Sequence, residues 1–409
     1  MQKTLVLPIL TALLSACALG TADGDSQHTA ANLGPSPYRA SVVRTASIPG
    51  PSPMDDSSPL WTQVKKLSGG DFGVRIENVK TGEARYVRSP FRTESDASIF
   101  YFRVPYQVAV DYLGPREDEQ GNELFPPILR VVDETSDQNW AVGAIWFVDY
   151  HRTDLGTAGN GSNGEYHEVV LTLQAAEPNG ASSVTDEGPM SAAAIALCGR
   201  FPTITARLVL DNDWAIAFGR EFLGFDKYRG DVTFKDGSVS ATIDGESAIR
   251  AVKLPKPSAF DTSDAQLQLL FRITDYGGVD TGLAMLKKNA QRIAREGLIA
   301  STLSPLKNSA RDWRDSLAPD IQTGAGTLAG FGFPAMPRIS NVYYDFYVST
   351  SSSTRKINKA YLKTAAADDD PHFGILAHAE VEAFFRAPNM RVAFGLSPEG
   401  KAQIDTLLK

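Results

Sequence analysis

From Phe72 to Tyr150 the chain keeps repeating one pattern: a short run of β-branched and aromatic residues, then glycine, proline or acidic residues, then another such run. The runs are "FGVRIENV", "ARYVR", "SIFYFRVPYQVAVDYL", "ILRVV" and "WAVGAIWFVDY". Runs of this composition punctuated by turn residues read as strands of a mainly antiparallel sheet or barrel. Further along, "DVTFKDGSVSATID" places two alternating segments around Asp236-Gly237, a strong hairpin signal. "AQLQLLFRITDY", "NVYYDFYVS" and "AHAEVEAFF" add three more strand-like segments, and a short helix is expected at the C-terminus. Asp280 is placed to cap a helix from about Thr281 to Gly297, with Leu283, Leu286, Ala290, Ile293 and Ala294 near one face and a solvated basic face opposite. No internal repeat is visible, and no linker after residue 60 divides the body. The expected class is therefore α+β, mainly antiparallel β, with helices at the periphery and one domain over residues 60–409.

The N-terminus reads differently. "MQKTLVLPILTALLSACALG" has a basic start at Lys3 and an apolar run from Leu5 to Leu14. That run is too short for a comfortable membrane span and fits a secretory signal. It ends in Leu14-Ser15-Ala16-Cys17, which resembles the lipobox of bacterial lipoproteins, with Cys17 as the lipidated first mature residue. Residues 1–17 are thus expected to be signal and lipobox, and residues 18–59, rich in Ala, Ser, Gly and Pro, a disordered tether. The implied location is the bacterial cell envelope, lipid-anchored on the periplasmic side, at the outer membrane. Cys198 is the only other cysteine, so a disulfide framework is excluded. With 40 basic residues against 48 acidic ones, a net charge of −8, nothing suggests a nucleic-acid partner.

The chemistry concentrates in "LDNDWAIAFGREFLGFDKYRGDV", from Leu210 to Val232. Trp214, Ile216 and Phe218 alternate with Ala215 and Ala217, so "WAIAF" reads as a buried strand with a bulky and a small face. Gly219 then permits a change of direction, and "REFLGFDKY" reads as a turn or short helix. A lysine held against aromatic walls has its ammonium form disfavoured, which frees an amine able to attack a carbonyl. A lone lysine beside aromatics is most often only a snorkelling side chain.

The wider pattern gives Lys227 more weight. "LDN", then "AIA", then "GRE", then a glycine and an aromatic before a lysine resembles the signature of the acetoacetate decarboxylase family, and places Lys227 at its Schiff-base lysine. Upstream, "NGEYHEVVLTL" resembles the family's Gly-x-Tyr-x-Glu segment, with Gly164, Tyr166 and Glu168 at the corresponding positions. "AHAEVEAFFRAP" resembles its closing strand. The resemblance implies an acetoacetate decarboxylase-like barrel with peripheral helices, needing no cofactor and forming homo-oligomers. It also implies a mechanism in which Lys227 condenses with a small oxo acid and Glu168 positions substrate or carries protons. Arg220, Glu221, Tyr166 and Arg103 are the expected substrate-binding residues, with Arg92 a second candidate for the substrate arginine. The simplest reaction is decarboxylation of a β-keto acid such as acetoacetate. Aldolase or dehydratase chemistry on the same scaffold is an alternative, as is a non-catalytic envelope lipoprotein that binds a small ligand. One departure bears on the choice: the family has proline before the reactive lysine and a second lysine after it, where this chain has Asp226 and Tyr228.

Other patterns carry less. The five histidines have no metal-ligand spacing, and His378, Glu380 and Glu382 read as a solvated barrel edge. On an ideal strand His167 points away from Tyr166 and Glu168. "STRK" and "SPLK" match Ser-x-x-Lys without companion motifs, and "GAGTLAGFG" lacks the strand-helix frame of a dinucleotide site.

Overall fold

A computed structural model describes residues 36–50, 72–89, 91–117, 123–124, 128–136, 138–155, 164–176, 182–186, 191–197, 203–223, 227–255, 341–346 and 357–395. The first strands are β1 (Tyr38–Arg44), β2 (Phe72–Asn78), β3 (Ala84–Arg88), β4 (Phe91–Pro105), β5 (Arg116–Glu117), β6 (Glu123–Leu124), β7 (Arg130–Val132) and β8 (Asn139–Thr153). They are followed by β9 (Tyr166–Gln174), β10 (Ser183–Thr185), β11 (Thr203–Leu210), β12 (Lys227–Arg229), β13 (Asp231–Lys235), β14 (Ser238–Ile243), β15 (Glu246–Lys253), β16 (Asn341–Phe346) and β17 (Glu380–Gly395). The helices are α1 (Tyr106–Leu113), α2 (Ser191–Leu197) and α3 (Asp213–Phe218).

The centre is a nine-stranded sheet in the order β12-β11-β9-β8-β4-β17-β16, with β7 also pairing β8 and β10 pairing β7. It curls into a half-barrel. Its pairings are antiparallel except β11 with β12 and β10 with β7. β4 and β8, each 15 residues, run in register from Thr93↔Thr153 to Pro105↔Trp140, broken by one bulge.

Both faces of this sheet are covered, which explains why its long strands are apolar almost throughout rather than alternating. One face carries Ile99, Tyr101, Trp146, Val148, Val170, Leu208 and Leu210, packed under β1 to β3, α2 and α3. The other carries Phe100, Phe102, Ile145, Phe147, Val169 and Leu171, packed against α1, the β13 to β15 sheet and the segment around Phe373. The architecture is thus α+β and mainly antiparallel, as the sequence pattern implies.

Three expectations change. "SIFYFRVPYQVAVDYL" is not all strand: Pro105 ends β4 and α1 begins at Tyr106. Proline at a helix start costs no hydrogen bond, because those first N–H groups have no intrahelical partner. "WAIAF" is the helix α3, not a strand. Asn212 accepts hydrogen bonds from the backbone N–H of Trp214 (2.9 Å) and Ala215 (3.0 Å), a side-chain cap that nucleates the turn. Tyr38–Arg44, inside the stretch read as tether, form β1 and pair with β2 from Tyr38↔Asn78 to Arg44↔Phe72.

The Asp236-Gly237 hairpin is present, with φ of 51° and 73° at its two turn residues. Positive φ at both is what a two-residue type I′ turn demands. Asp244-Gly245 repeats it (53° and 83°) between β14 and β15. "NVYYDFYVS" contributes β16, and in "AHAEVEAFF" β17 begins at Glu380, just after a 3₁₀ turn ending at His378. Residues 1–35, the helix at 281–297, the "AQLQLLFRITDY" segment, the final helix, both Ser-x-x-Lys motifs and "GAGTLAGFG" lie outside the described residues. No described helix is long and apolar enough to cross a membrane.

Candidate functional site

β12 brings Lys227 to the covered sheet face. It pairs parallel to β11 with Lys227 opposite Leu208, and Leu210 lies opposite Glu168 on β9. Leu208, Leu210 and Val170 belong to the core of that face. The lysine and the glutamate are both buried, at 7% and 5% exposure. Lys227 Nζ lies 3.5 Å from Glu168 Oε2. The contact is an ion pair without hydrogen-bond alignment, and Glu168 Oε2 has no hydrogen-bond partner among the described residues. Burial pushes the Glu168 carboxyl above the ordinary carboxylate range; Lys227 opposes that shift and Asp211 adds to it.

The approach of α3 holds the lysine in place. Capped at Asn212, α3 buries Trp214 to Phe218 and then widens into a π-type turn over Gly219–Leu223. Gly219 sits so close to the Lys227 stem that a Cβ there would fall 2.3 Å from both Cδ and Cε. Its φ is an ordinary −63°, so glycine is required for space and not for backbone freedom. Beyond the helix, the Phe218 ring stacks on Phe222 at 5.5 Å and tilts against Phe91 at 4.8 Å. These rings bridge from the lysine's neighbour to the first residue of β4.

Tyr166 is two residues before Glu168 on the same strand and face. It is buried and stacks on Tyr150, directly opposite on β8, with ring centroids 4.3 Å apart. Burial, and then the Glu168 charge, push its phenol well above the ordinary range. Arg220 and Glu221 are half-buried in the turn that Gly219 opens. His167 faces the other way: its Nδ1 lies 2.7 Å from Asp211 Oδ2, and its ring packs near Phe234.

Arg103 is not brought to the pair. Its strand passes the Glu168 row at Ala97, through Val148, and Arg103 is six residues further along β4. At about 3.3 Å per residue that is roughly 20 Å away. There it faces Asp186 (3.1 Å), Glu380 (3.2 Å) and Glu382 (3.9 Å), with its guanidinium 4.3 Å from the Trp140 ring centroid. Arg92 is buried in a two-point ion pair with Asp154 (2.9 and 3.2 Å). Nor are Glu380 and Glu382 a solvated edge, because both close on Arg103. Glu382 also accepts the Ala192 N–H at 2.7 Å, and burial lifts its carboxyl to about 7. Among the described residues no group of three or more His, Cys, Asp or Glu is arranged to hold a metal ion. The close approach of Gly219 and the ring bridge through Phe91 escaped the sequence reading, since neither leaves a local pattern.

The family model for acetoacetate decarboxylase (ADC) matches residues 117–264, which contain both Glu168 and Lys227. That match takes in residues 117–264 of a 409-residue chain, so the similarity to this family is a similarity of that segment. No curated protein matches it. Among solved structures, an acetoacetate decarboxylase from Legionella pneumophila is 13% identical, with a TM-score of 0.26 over 44% of this chain and 56% of that one. The enduracididine biosynthesis enzyme MppR, complexed with the condensation product of pyruvate and imidazole 4-carboxaldehyde, is 12% identical, with a TM-score of 0.25 over 43% and 59%. A structure from studies of acetoacetate decarboxylase is 11% identical, with a TM-score of 0.29 over 75% and 88%. The chain thus spans little more than half the length of the first two.

Proposed function

We propose that this protein is a lyase that forms a Schiff base at Lys227 with a small oxo acid, most simply decarboxylating a β-keto acid. The observation that carries the reading is the buried pair itself. A lysine amine lies 3.5 Å from a carboxylate oxygen that has no hydrogen bond among the described residues, within the stretch matched to the family.

The chemistry follows from that geometry. The Lys227 amine attacks the ketone carbon; one proton passes from nitrogen to the carbonyl oxygen, the protonated Glu168 carboxyl gives that oxygen a second, and it departs as water, leaving an iminium that keeps one N–H. In a β-keto acid the bond to the carboxylate then breaks, carbon dioxide leaves, and its electron pair neutralises the iminium as an enamine. Protonation at carbon and addition of water release the ketone and restore the amine. Glu168 is the group positioned to take and return those protons, and a carboxyl raised by burial is better matched to that task near neutrality than an ordinary one. Tyr166 flanks it on the substrate side. Arg220 and Glu221, in the turn that begins at Gly219, are substrate contacts in this reading, whereas Arg103 is assigned to the structural cluster at the far end of the sheet. Asp226, in place of the family's proline, lies outside the described residues.

The test is carbon dioxide release from acetoacetate by the full-length protein and by Lys227→Met and Glu168→Gln. Release by the wild type, lost in Lys227→Met and slowed roughly a hundredfold in Glu168→Gln, supports the reading. Release that survives Lys227→Met contradicts it. Anchoring through Cys17, assembly into a homo-oligomer and residence at the outer membrane belong to the same proposal and rest on sequence. Cys17→Ser is expected to move the protein from the membrane fraction to the soluble one.

A further inference from the structure

The site face of β4 carries Phe91, Thr93, Ser95, Ala97 and Ile99 at alternate positions. Two of these are hydroxyls sealed inside the protein. Ser95 is 0% and Thr93 1% exposed, and among the described residues neither Oγ nor Oγ1 has a hydrogen-bond partner. Buried hydroxyls are nearly always paired, because an unpaired one forfeits its bonds to water and gains nothing in return. Ser95 lies opposite Tyr150, and Tyr150 lies opposite Tyr166, so all three share one cross-strand row. The next row is Ala97, Val148 and Glu168. A strip of hydroxyl groups therefore runs from the Lys227 and Glu168 pair toward Phe91, whose ring meets Phe218.

The geometry points to a second half of the substrate site: Ser95 and Thr93, beside Tyr150 and Tyr166, receive a neutral, hydroxyl-bearing tail of the oxo acid that Lys227 holds. The tail is neutral because the cation at that end of the strip, Arg92, is committed to Asp154. Hydroxyl groups would both donate to and accept from Ser95 and Thr93. Ala97 and Val148 supply the small, apolar floor between this strip and the glutamate. The subsite takes its orientation from the Schiff-base reading, but its hydroxyls stand on their own burial.

The experiment uses the full-length protein and two probes: a six-carbon oxo acid with hydroxyls on its three terminal carbons, and its counterpart without them. Calorimetry measures binding, and borohydride reduction followed by mass spectrometry maps any adduct. The hydroxylated acid is expected to bind at least about tenfold more tightly, and Ser95→Ala and Thr93→Val each to remove most of that preference. Without ligand, Ser95→Ala should melt no lower than wild type, since it breaks no bond. Equal affinity for both acids, a preference untouched by either substitution, or a clear drop in the melting temperature of Ser95→Ala would overturn the subsite. A preference without an adduct at Lys227 would sustain the subsite and remove the Schiff base; an adduct without a preference would do the reverse. Absence of both binding and adduct overturns both.

Discussion

Two cations, the buried Lys227 and the half-buried Arg103, sit on the same face of the central sheet, and their surroundings are unlike. At one end Arg103 is met by Asp186, Glu380 and Glu382, and each carboxylate has a further partner: Ser191 for Asp186 (2.8 Å), Lys359 for Glu380 (3.2 Å), and the Ala192 N–H for Glu382 (2.7 Å). At the other end Lys227 has Glu168; among the described residues one oxygen of that carboxylate has no hydrogen bond, and two unpaired hydroxyls lie beyond it. A network with all its members satisfied rigidifies a structure. One with hydrogen-bonding capacity left over is poised to receive something else. The contrast separates a satisfied cluster from an unsatisfied one, although an arginine among acids and a lysine beside an acid look equivalent in the sequence.

Breaking the satisfied end should cost the most. Arg103→Met leaves three carboxylates without their shared cation, and a loss of about 3–5 kcal/mol is expected in denaturant unfolding. Lys227→Met should cost nearer 1 kcal/mol, because Glu168 can escape its unpaired charge by binding a proton. Equal losses would erase the distinction. Gly219→Ala comes next: a methyl group 2.3 Å from the Lys227 stem must displace it, costing about 1–3 kcal/mol and slowing carbon dioxide release roughly a hundredfold. Release at the wild-type rate would show that Gly219 does not position the lysine. Asn212→Ala removes the cap of α3 and is expected to cost about 1 kcal/mol, again read by unfolding.

The smallest effect is one of pH. Glu382 has its folded value raised to about 7 from 4.5, so the proton is bound more tightly in the folded protein. Its contribution to stability is complete below 4.5 and is lost as pH rises through 7. Glu382→Gln should flatten that decline in melting temperature across the same window. An unchanged slope would mean that the decline comes from other groups.

Much of the sheet was legible in the sequence because its strands are long and bounded by turn residues, and Asp236-Gly237 fixes its hairpin through backbone conformation alone. "WAIAF" was not, since five residues alternating large and small fit a strand or a helix equally. The cap at Asn212 decides between them. β1 was hidden because Tyr38–Arg44 buries little of itself and gains its place by pairing with β2. Glu168 and Lys227, the pair on which the proposed site rests, were singled out by the motif resemblance, and the structure brings them within 3.5 Å of each other. Arg103 was misassigned because its partners come from Glu380 and Glu382, distant in the chain and close only across the β4 and β17 pairing. Thr93 and Ser95 were invisible: in "FRTESDAS" their hydroxyls look like the wet side of a strand, and only the covering elements make that side dry.

The most direct measurement sets the two ends against each other in one sample. Full-length protein is incubated with acetoacetate or pyruvate, reduced with borohydride and digested, and the adduct is quantified on the peptides carrying Lys227 and Lys359, the lysine of the satisfied cluster. An adduct on Lys227 that is absent from Lys359 and lost in Lys227→Met is the expected result. Adduct on both in similar amount, or on neither, would contradict a reactive lysine at the unsatisfied end.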